Sequence, residues 1–198
     1  MPFLKLLKLT LVVLLFMPYC YAQKNADYII TPLHRTVKLL WNGKSGSIQW
    51  IQNGKSKILR NAFYVKERDV VGYPRFERES QDYIVLRYGC GSPCWIEIFL
   101  PLYKNGNPTI IEDPFVYDLG IDRVAGPGGI NGTFMEILNL RTRKKQSFYP
   151  DSCTSAFIGY CIDTAYFEGN KFVYYWNAQA TFDNRRSAKN KKSVVLNK

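Results

Sequence analysis

The sequence predicts an all-β protein of antiparallel strands, arranged as a sandwich or as a barrel-like or propeller-like sheet. Three observations predict it. Apolar and polar residues alternate over short segments, which is the pattern of half-buried strands. Asn-Gly and Gly-Asn pairs separate several of these segments, and such pairs favour tight hairpin turns. No segment has a long helical period with caps, so we expect at most short helices.

The predicted strands follow one another at roughly ten-residue spacing, as in antiparallel sheets. Asn53-Gly54 and Gly169-Asn170 mark the clearest hairpins. Residues 132–143 also fit a short helix, and the glycine-rich residues 125–132 are expected to form a mobile surface loop. The predicted strands span residues 36–41, 46–52, 56–65, 82–89, 94–103, 108–120 with a break at Pro114, 132–143, and the hairpin 164–176.

The start of the chain differs from the body. Residues 1–22 have the layout of a secretory signal peptide, with a basic start, a short apolar run and an expected cleavage after Ala22. The run is too short for a comfortable transmembrane span, although an uncleaved anchor remains an alternative. We therefore expect a periplasmic or secreted protein with no transmembrane segment after cleavage. Residues 23–184 suit a single β-rich domain.

The positive charge is concentrated in two clusters. The formal net charge is +11, and residues 185–198 carry six positive charges and no acidic residue. This composition predicts a disordered basic tail, which could be attracted to an anionic envelope surface such as lipid headgroups or polysaccharide. Nucleic acid is not an expected partner of an exported protein. The second cluster supplies four candidates for partner binding: Arg141, Arg143, Lys144 and Lys145.

Four cysteines remain after the expected cleavage, and an even count fits an exported protein with disulfides. We favour two local bridges that staple turns, Cys90–Cys94 and Cys153–Cys161, although crossed pairings remain open. Three residues separate Cys90 from Cys94, whereas a thioredoxin-type redox motif has two. Trp95 is expected to pack beside this staple and is a further candidate for partner binding.

Catalytic and metal-binding patterns are not recognised in the sequence. His34 is the single histidine, which leaves a zinc site short of ligands, and no cofactor motif is present. A loose group of acids fits a solvated loop better than a catalytic pair or a calcium loop. We assign no catalytic residue, no metal ligand and no cofactor. These acids are Glu112, Asp113, Asp118 and Asp122.

The sequence therefore predicts an exported, non-catalytic binding protein. It would act on a protein partner in the bacterial envelope, as an inhibitor or immunity-type protein does. One alternative is a small secreted hydrolase or toxin that uses His34 with acids from 112 to 122 or with Asp151. The other is an envelope-associated structural protein held by its basic tail.

Overall fold

The computed structural model describes residues 25–42, 45–64, 72–91, 94–128, 134–149, 158–177 and 190–196. About 70% of the described residues lie in strands. The helical element within these ranges is a 3-10 turn over Ile158–Cys161. The prediction of an all-β fold with at most short helices is therefore confirmed.

Strands follow one another along the described chain, joined mostly by short turns. They are β1 (Asn25–Ile30), β2 (Thr36–Asn42), β3 (Ser45–Gln52), β4 (Lys55–Tyr64), β5 (Arg75–Glu79), β6 (Tyr83–Gly91), β7 (Cys94–Pro101), β8 (Thr109–Glu112), β9 (Val116–Asp118), β10 (Arg123–Gly128), β11 (Phe134–Asn139), β12 (Lys145–Phe148), β13 (Ile162–Glu168), β14 (Lys171–Trp176) and β15 (Asn190–Val195).

These strands form four antiparallel sheets in which chain neighbours are also sheet neighbours. Sheet 1 contains β1 to β4, sheet 2 contains β5 to β8, sheet 3 contains β9 to β12, and sheet 4 contains β13 to β15. The hairpin signals are correct. Asn53 and Gly54 have φ values of 46° and 73°, and Gly169 has 57°. Such positive φ values are those that tight hairpin turns require.

The sheets pack face to face in chain order because their strands carry apolar residues on both faces. On β6, Ile84 and Leu86 belong to the core shared with sheet 1, whereas Tyr83 and Val85 belong to the core shared with sheet 3. Successive side chains of a strand point to opposite faces, so one strand serves both cores. Sheet 3 repeats this pattern: its Val124 faces sheet 2 and its Ala125 faces sheet 4.

This packing selects among the predicted arrangements. A two-sheet sandwich would bury one face of each sheet. Here sheets 2 and 3 bury both faces, and the described sheets form no closed barrel. Consecutive meanders packed face to face are also the arrangement of neighbouring blades in a propeller. The described part of the protein is therefore a stack of four antiparallel sheets, which is neither a two-sheet sandwich nor a closed barrel.

The described part of the glycine-rich segment, residues 125–128, departs from the expectation of a mobile loop. These residues belong to β10, which pairs with β9 and with β11. Gly128 is buried, and a Cβ atom at this position would lie 2.3 Å from Cε2 of Phe134. The missing side chain therefore allows the Phe134 ring to pack onto the backbone. Glycine is needed here for close packing and not for flexibility.

The basic tail also departs from the expectation, because its described part is a strand. β15 pairs with β14 over the full length of both strands, and Leu196 directly after it is 8% exposed. Val194 and Leu196 pack into the core between sheets 3 and 4. The segment contains two lysines, and its three apolar residues are consecutive at 194–196, so no period-two alternation marks it as a strand. Disorder is therefore the wrong description of residues 190–196.

Several predictions fall outside the described residues. They are the signal peptide at 1–22, the first part of the tail up to residue 189, Cys153 and Asp151. Among the residues that are described, no helix has the length and apolar character needed to cross a membrane.

Candidate functional site

The hairpin between β6 and β7 is closed by a disulfide. Cys90 and Cys94 are bonded to each other, with their Cα atoms 5.2 Å apart. Gly89 lies opposite Trp95 in the ladder, and the register shifts by one residue before Gly91. The predicted local staple is therefore present on this turn. Cys161 is also disulfide-bonded, and its predicted partner Cys153 lies outside the described residues.

Trp95 is fixed through its backbone while its ring stays accessible. Its N–H donates a hydrogen bond of 2.8 Å to Oδ1 of Asp113, and its carbonyl accepts one of 2.8 Å from the N–H of Asp113. The side chain is 39% exposed. A large aromatic ring held at the end of a stapled hairpin loses little conformational freedom when a partner contacts it.

Trp95 forms one side of a cavity of about 520 Å³, which we call the Trp95 cleft. Aromatic rings and charged groups line it together. The cleft is defined by Tyr73, Arg75, Phe76, Glu77, Arg87, Tyr88, Gly89 and Trp95. This volume lies within the size range of small-ligand and side-chain pockets.

The aromatic walls of the cleft are anchored to sheet 1. The hydroxyl of Tyr73 donates to Oδ2 of Asp27 at 2.9 Å, and its ring packs edge-on against Trp41 with centroids 5.4 Å apart. The hydroxyl of Tyr88 donates to the carbonyl of Ala62 at 3.1 Å. Burial raises the pKa of Tyr73, and the nearby Asp27 carboxylate raises it further. The two tyrosine rings are therefore held in place by these hydrogen bonds and uncharged at neutral pH.

A partly buried ion pair lies beneath the cleft. Arg87 donates from Nε and Nη2 to Oε1 of Glu97, at 3.0 and 2.5 Å, and its Nη2 lies 3.2 Å from Oε1 of Glu77. Glu97 is 1% exposed, and its Oε2 has no hydrogen-bond partner. Burial raises the pKa of Glu97, while the hydrogen bond from Arg87 acts in the opposite direction. This pair fixes the guanidinium that faces the cleft.

Arg75 adds an accessible positive charge to the rim. It lies directly opposite Arg87 in the β5–β6 ladder, and its side chain is exposed. Arg87 is held by two carboxylates, whereas Arg75 makes no hydrogen bond or ion pair within the described residues. The Arg75 guanidinium is therefore the cation of the cleft that can pair with an anionic group of a ligand or partner.

A second cavity, of about 420 Å³, lies where β5, β9 and β13 approach one another. Its charged groups already have partners. Glu79 accepts a 2.5 Å hydrogen bond from the N–H of Leu33 and lies 3.6 Å from Arg35, while Arg78 lies over the ring of Tyr117. This cavity offers less for recognition than the Trp95 cleft.

Arg141 is a predicted partner-binding residue, and its guanidinium forms ion pairs with acids of the same chain. Its Nε donates to Asp122 at 2.8 Å, and its Nη2 donates to Asp82 at 2.7 Å. The guanidinium also lies 4.2 Å from the ring centroid of Tyr103. The hydrogen bond from Arg141 to Asp122 is the main reason that the pKa of Arg141 is raised. The ion pairs of Arg141 with Asp82 and Asp122 therefore connect sheet 2 to sheet 3.

The other basic candidates lie on the turn between β11 and β12 and at the start of β12. Lys145 forms an ion pair of 2.9 Å with Glu136, and Arg143 donates to Oγ1 of Thr109. Lys144 is exposed on the turn. Thr109 lies opposite Phe99 in the β7–β8 ladder, four positions along β7 from Trp95, which is about 13 Å. The structure therefore does not bring Trp95 and the basic candidates into one patch.

The catalytic alternative pairs His34 with acids from 112 to 122 or with Asp151, which lies outside the described residues. His34 is exposed on the β1–β2 turn, where its N–H donates to the carbonyl of Thr31. No hydrogen bond or ion pair in the described ranges joins it to the acids between 112 and 122. Asp113 bonds to Trp95, Asp118 accepts from the N–H of Gly120, and Asp122 bonds to Arg141.

Comparison with known proteins found no matching family model, no matching curated protein and no matching solved structure. The functional assignment therefore depends on the geometry of the site.

Proposed function

We propose that this chain is an exported, non-catalytic binding protein whose Trp95 cleft docks a protein partner in the bacterial envelope. In this role it would act as an inhibitor or immunity-type protein. The observation that carries the proposal is the exposed Trp95 ring, held by a disulfide-closed hairpin at the edge of an aromatic-walled cavity.

The residue types of the cleft support this proposal. The few residues that carry most of the binding energy at protein interfaces are enriched in tryptophan, tyrosine and arginine and cluster in well-packed pockets. The cleft combines Trp95 and three further aromatic rings with two arginines. The walls are already anchored to sheet 1, so binding would order few additional groups.

The charges of the cleft indicate what the partner presents. An apolar or aromatic side chain of the partner would fill the space between the rings. A neighbouring carboxylate of the partner would pair with Arg75, which has no ion pair within the described residues. An exposed loop that carries an aromatic and an acidic residue close together meets both requirements.

The experiment is a pull-down from periplasmic extract and from cultures of neighbouring strains, with the oxidised mature protein as bait. The Trp95→Ala variant is compared with Tyr149→Ala, which removes an aromatic ring that is 76% exposed at the end of β12. We expect one stoichiometric protein partner, bound roughly 30-fold more weakly by Trp95→Ala and almost unchanged by Tyr149→Ala.

Two outcomes would overturn the proposal. Equal binding by both variants would show that the cleft is not the docking site. Retention of only anionic lipid or polysaccharide, released by salt, would favour an envelope-associated role through the basic segments.

A further inference from the structure

The disulfide turn has a third potential metal ligand beside it. Glu112 on β8 lies opposite Ile96 of β7, and this pairing brings its carboxylate to 3.5 Å from Sγ of Cys94. The two sulfur atoms and the carboxylate oxygen all lie within 4.8 Å of one another. The sequence alone does not show this group, because Glu112 is 18 residues from Cys94.

Glu112 is also distinguished by its charge environment. The carboxylates of Glu77, Glu97, Glu79 and Glu136 each lie in an ion pair with an arginine or lysine. Within the described ranges Glu112 has no ion pair, and it is exposed. A negative charge beside two sulfur atoms therefore remains available for a cation.

We propose that the Cys90–Cys94 turn is a redox-gated binding site for a thiophilic metal ion such as Zn²⁺. A dithiol reductant would supply two electrons and two protons, which break the S–S bond and leave two thiols, while the reductant becomes a disulfide. Binding of Zn²⁺ would then form two metal–sulfur bonds and one bond to the Glu112 carboxylate, with release of the two thiol protons. The oxidised form cannot bind in this way because its sulfurs are bonded to each other.

The ligand geometry is compatible with this ion. Zinc binds thiolate at about 2.3 Å and carboxylate at about 2.1 Å, so in a tetrahedral site the two sulfurs lie about 3.8 Å apart and each lies about 3.6 Å from the carboxylate oxygen. The three ligand atoms lie within 4.8 Å of one another, so side-chain rotation can bring them to this spacing. Three protein ligands would leave a fourth position for water or another ligand.

The donor set indicates the class of ion. Thiolates favour Zn²⁺, Cd²⁺ and Cu⁺, whereas Mg²⁺ and Ca²⁺ prefer oxygen ligands. Because the thiols must lose their protons, affinity would increase with pH. The inference does not depend on partner binding by the Trp95 cleft.

The test uses Co²⁺ as a spectroscopic probe of the reduced full-length mature protein under anaerobic conditions. We expect one equivalent of Co²⁺ to give thiolate charge-transfer absorption, and Zn²⁺ to displace it. Glu112→Gln should bind Co²⁺ at least about tenfold more weakly. Glu136→Gln serves as the matched control, because that carboxylate pairs with Lys145 away from the turn.

The remaining disulfide requires its own control, because the reductant can open it as well. The Cys90→Ser/Cys94→Ser variant keeps Cys153 and Cys161, so absorption in this variant would come from those thiols. Three results would overturn the inference: no thiolate band in the reduced protein, an undiminished band in the double variant, or unchanged affinity in Glu112→Gln.

Discussion

Replacement of Arg87 by alanine tests the charge arrangement beneath the Trp95 cleft. Glu97 is 1% exposed, and the hydrogen bonds to its carboxylate come from Arg87. The substitution would leave the buried Glu97 carboxylate without its cation. Glu77 would also lose its ion pair, but its side chain is partly exposed and water can solvate its charge. We therefore expect Arg87→Ala to destabilise the fold.

The magnitude follows from the burial of the two partners. Removing one partner of a fully buried ion pair costs about 3–5 kcal/mol. The Arg87 side chain is 42% exposed, so water can enter the vacated space and reduce the cost. We expect a loss of about 2–3 kcal/mol at neutral pH, below the fully buried range.

The pH dependence gives a second, independent signature. Burial raises the pKa of Glu97, so the folded state binds this proton more readily than the unfolded chain does. The contribution of this group to stability therefore falls as the pH rises from the unfolded carboxyl pKa to the folded one. Without Arg87 the folded pKa rises further, so the loss should be small in acid and largest at neutral pH.

The assay is urea unfolding of the oxidised protein between acidic and neutral pH. Arg60→Ala is the control, because Arg60 is an exposed arginine on β4 and its loss should change stability by less than about 0.5 kcal/mol. Adding Glu97→Gln to Arg87→Ala should recover at least about 1 kcal/mol, because the uncompensated charge is removed. A loss that is independent of pH, or a double variant no more stable than the single one, would refute this reasoning.

Two further predictions concern the last strand and a buried tyrosine. Truncation after Lys189 removes β15 and the buried Leu196. It should lower the unfolding free energy by about 3 kcal/mol relative to a chain that ends at Leu196. Equal stability of the two chains would show that β15 does not pair in solution. Burial, assisted by the nearby Glu97 and Glu77 carboxylates, raises the pKa of Tyr117 from 10.0 to about 12. The folded state then holds this proton longer than the unfolded chain, so stability should fall across that interval as the pH rises. Tyr117→Phe should reduce this alkaline fall in thermal unfolding scans, and an unchanged profile would contradict the assignment.

Much of the fold could be predicted from local patterns. Alternation of apolar and polar residues identified β2, β3 and β4 of sheet 1, and the turn pairs placed the hairpins, because both depend on neighbours within a few residues. The Cys90–Cys94 staple was predictable for the same reason. Local patterns did not predict the strands of mixed composition. β10 contains three small residues and a proline, and β15 contains two lysines. Their partners, and not their own composition, make them strands.

The sequence by itself determined the fold class, the hairpins and the local disulfide, since each depends on residues that are close along the chain. Only the tertiary structure decided which chemistry-bearing groups meet. It joined Arg87 to Glu97 and Glu77 beneath Trp95, and it placed Glu112 beside the disulfide. It also paired Arg141 with Asp82 and Asp122 of its own chain, contacts that the sequence does not show. Sheet pairing and face-to-face packing bring distant residues together, and short-range patterns do not encode these contacts.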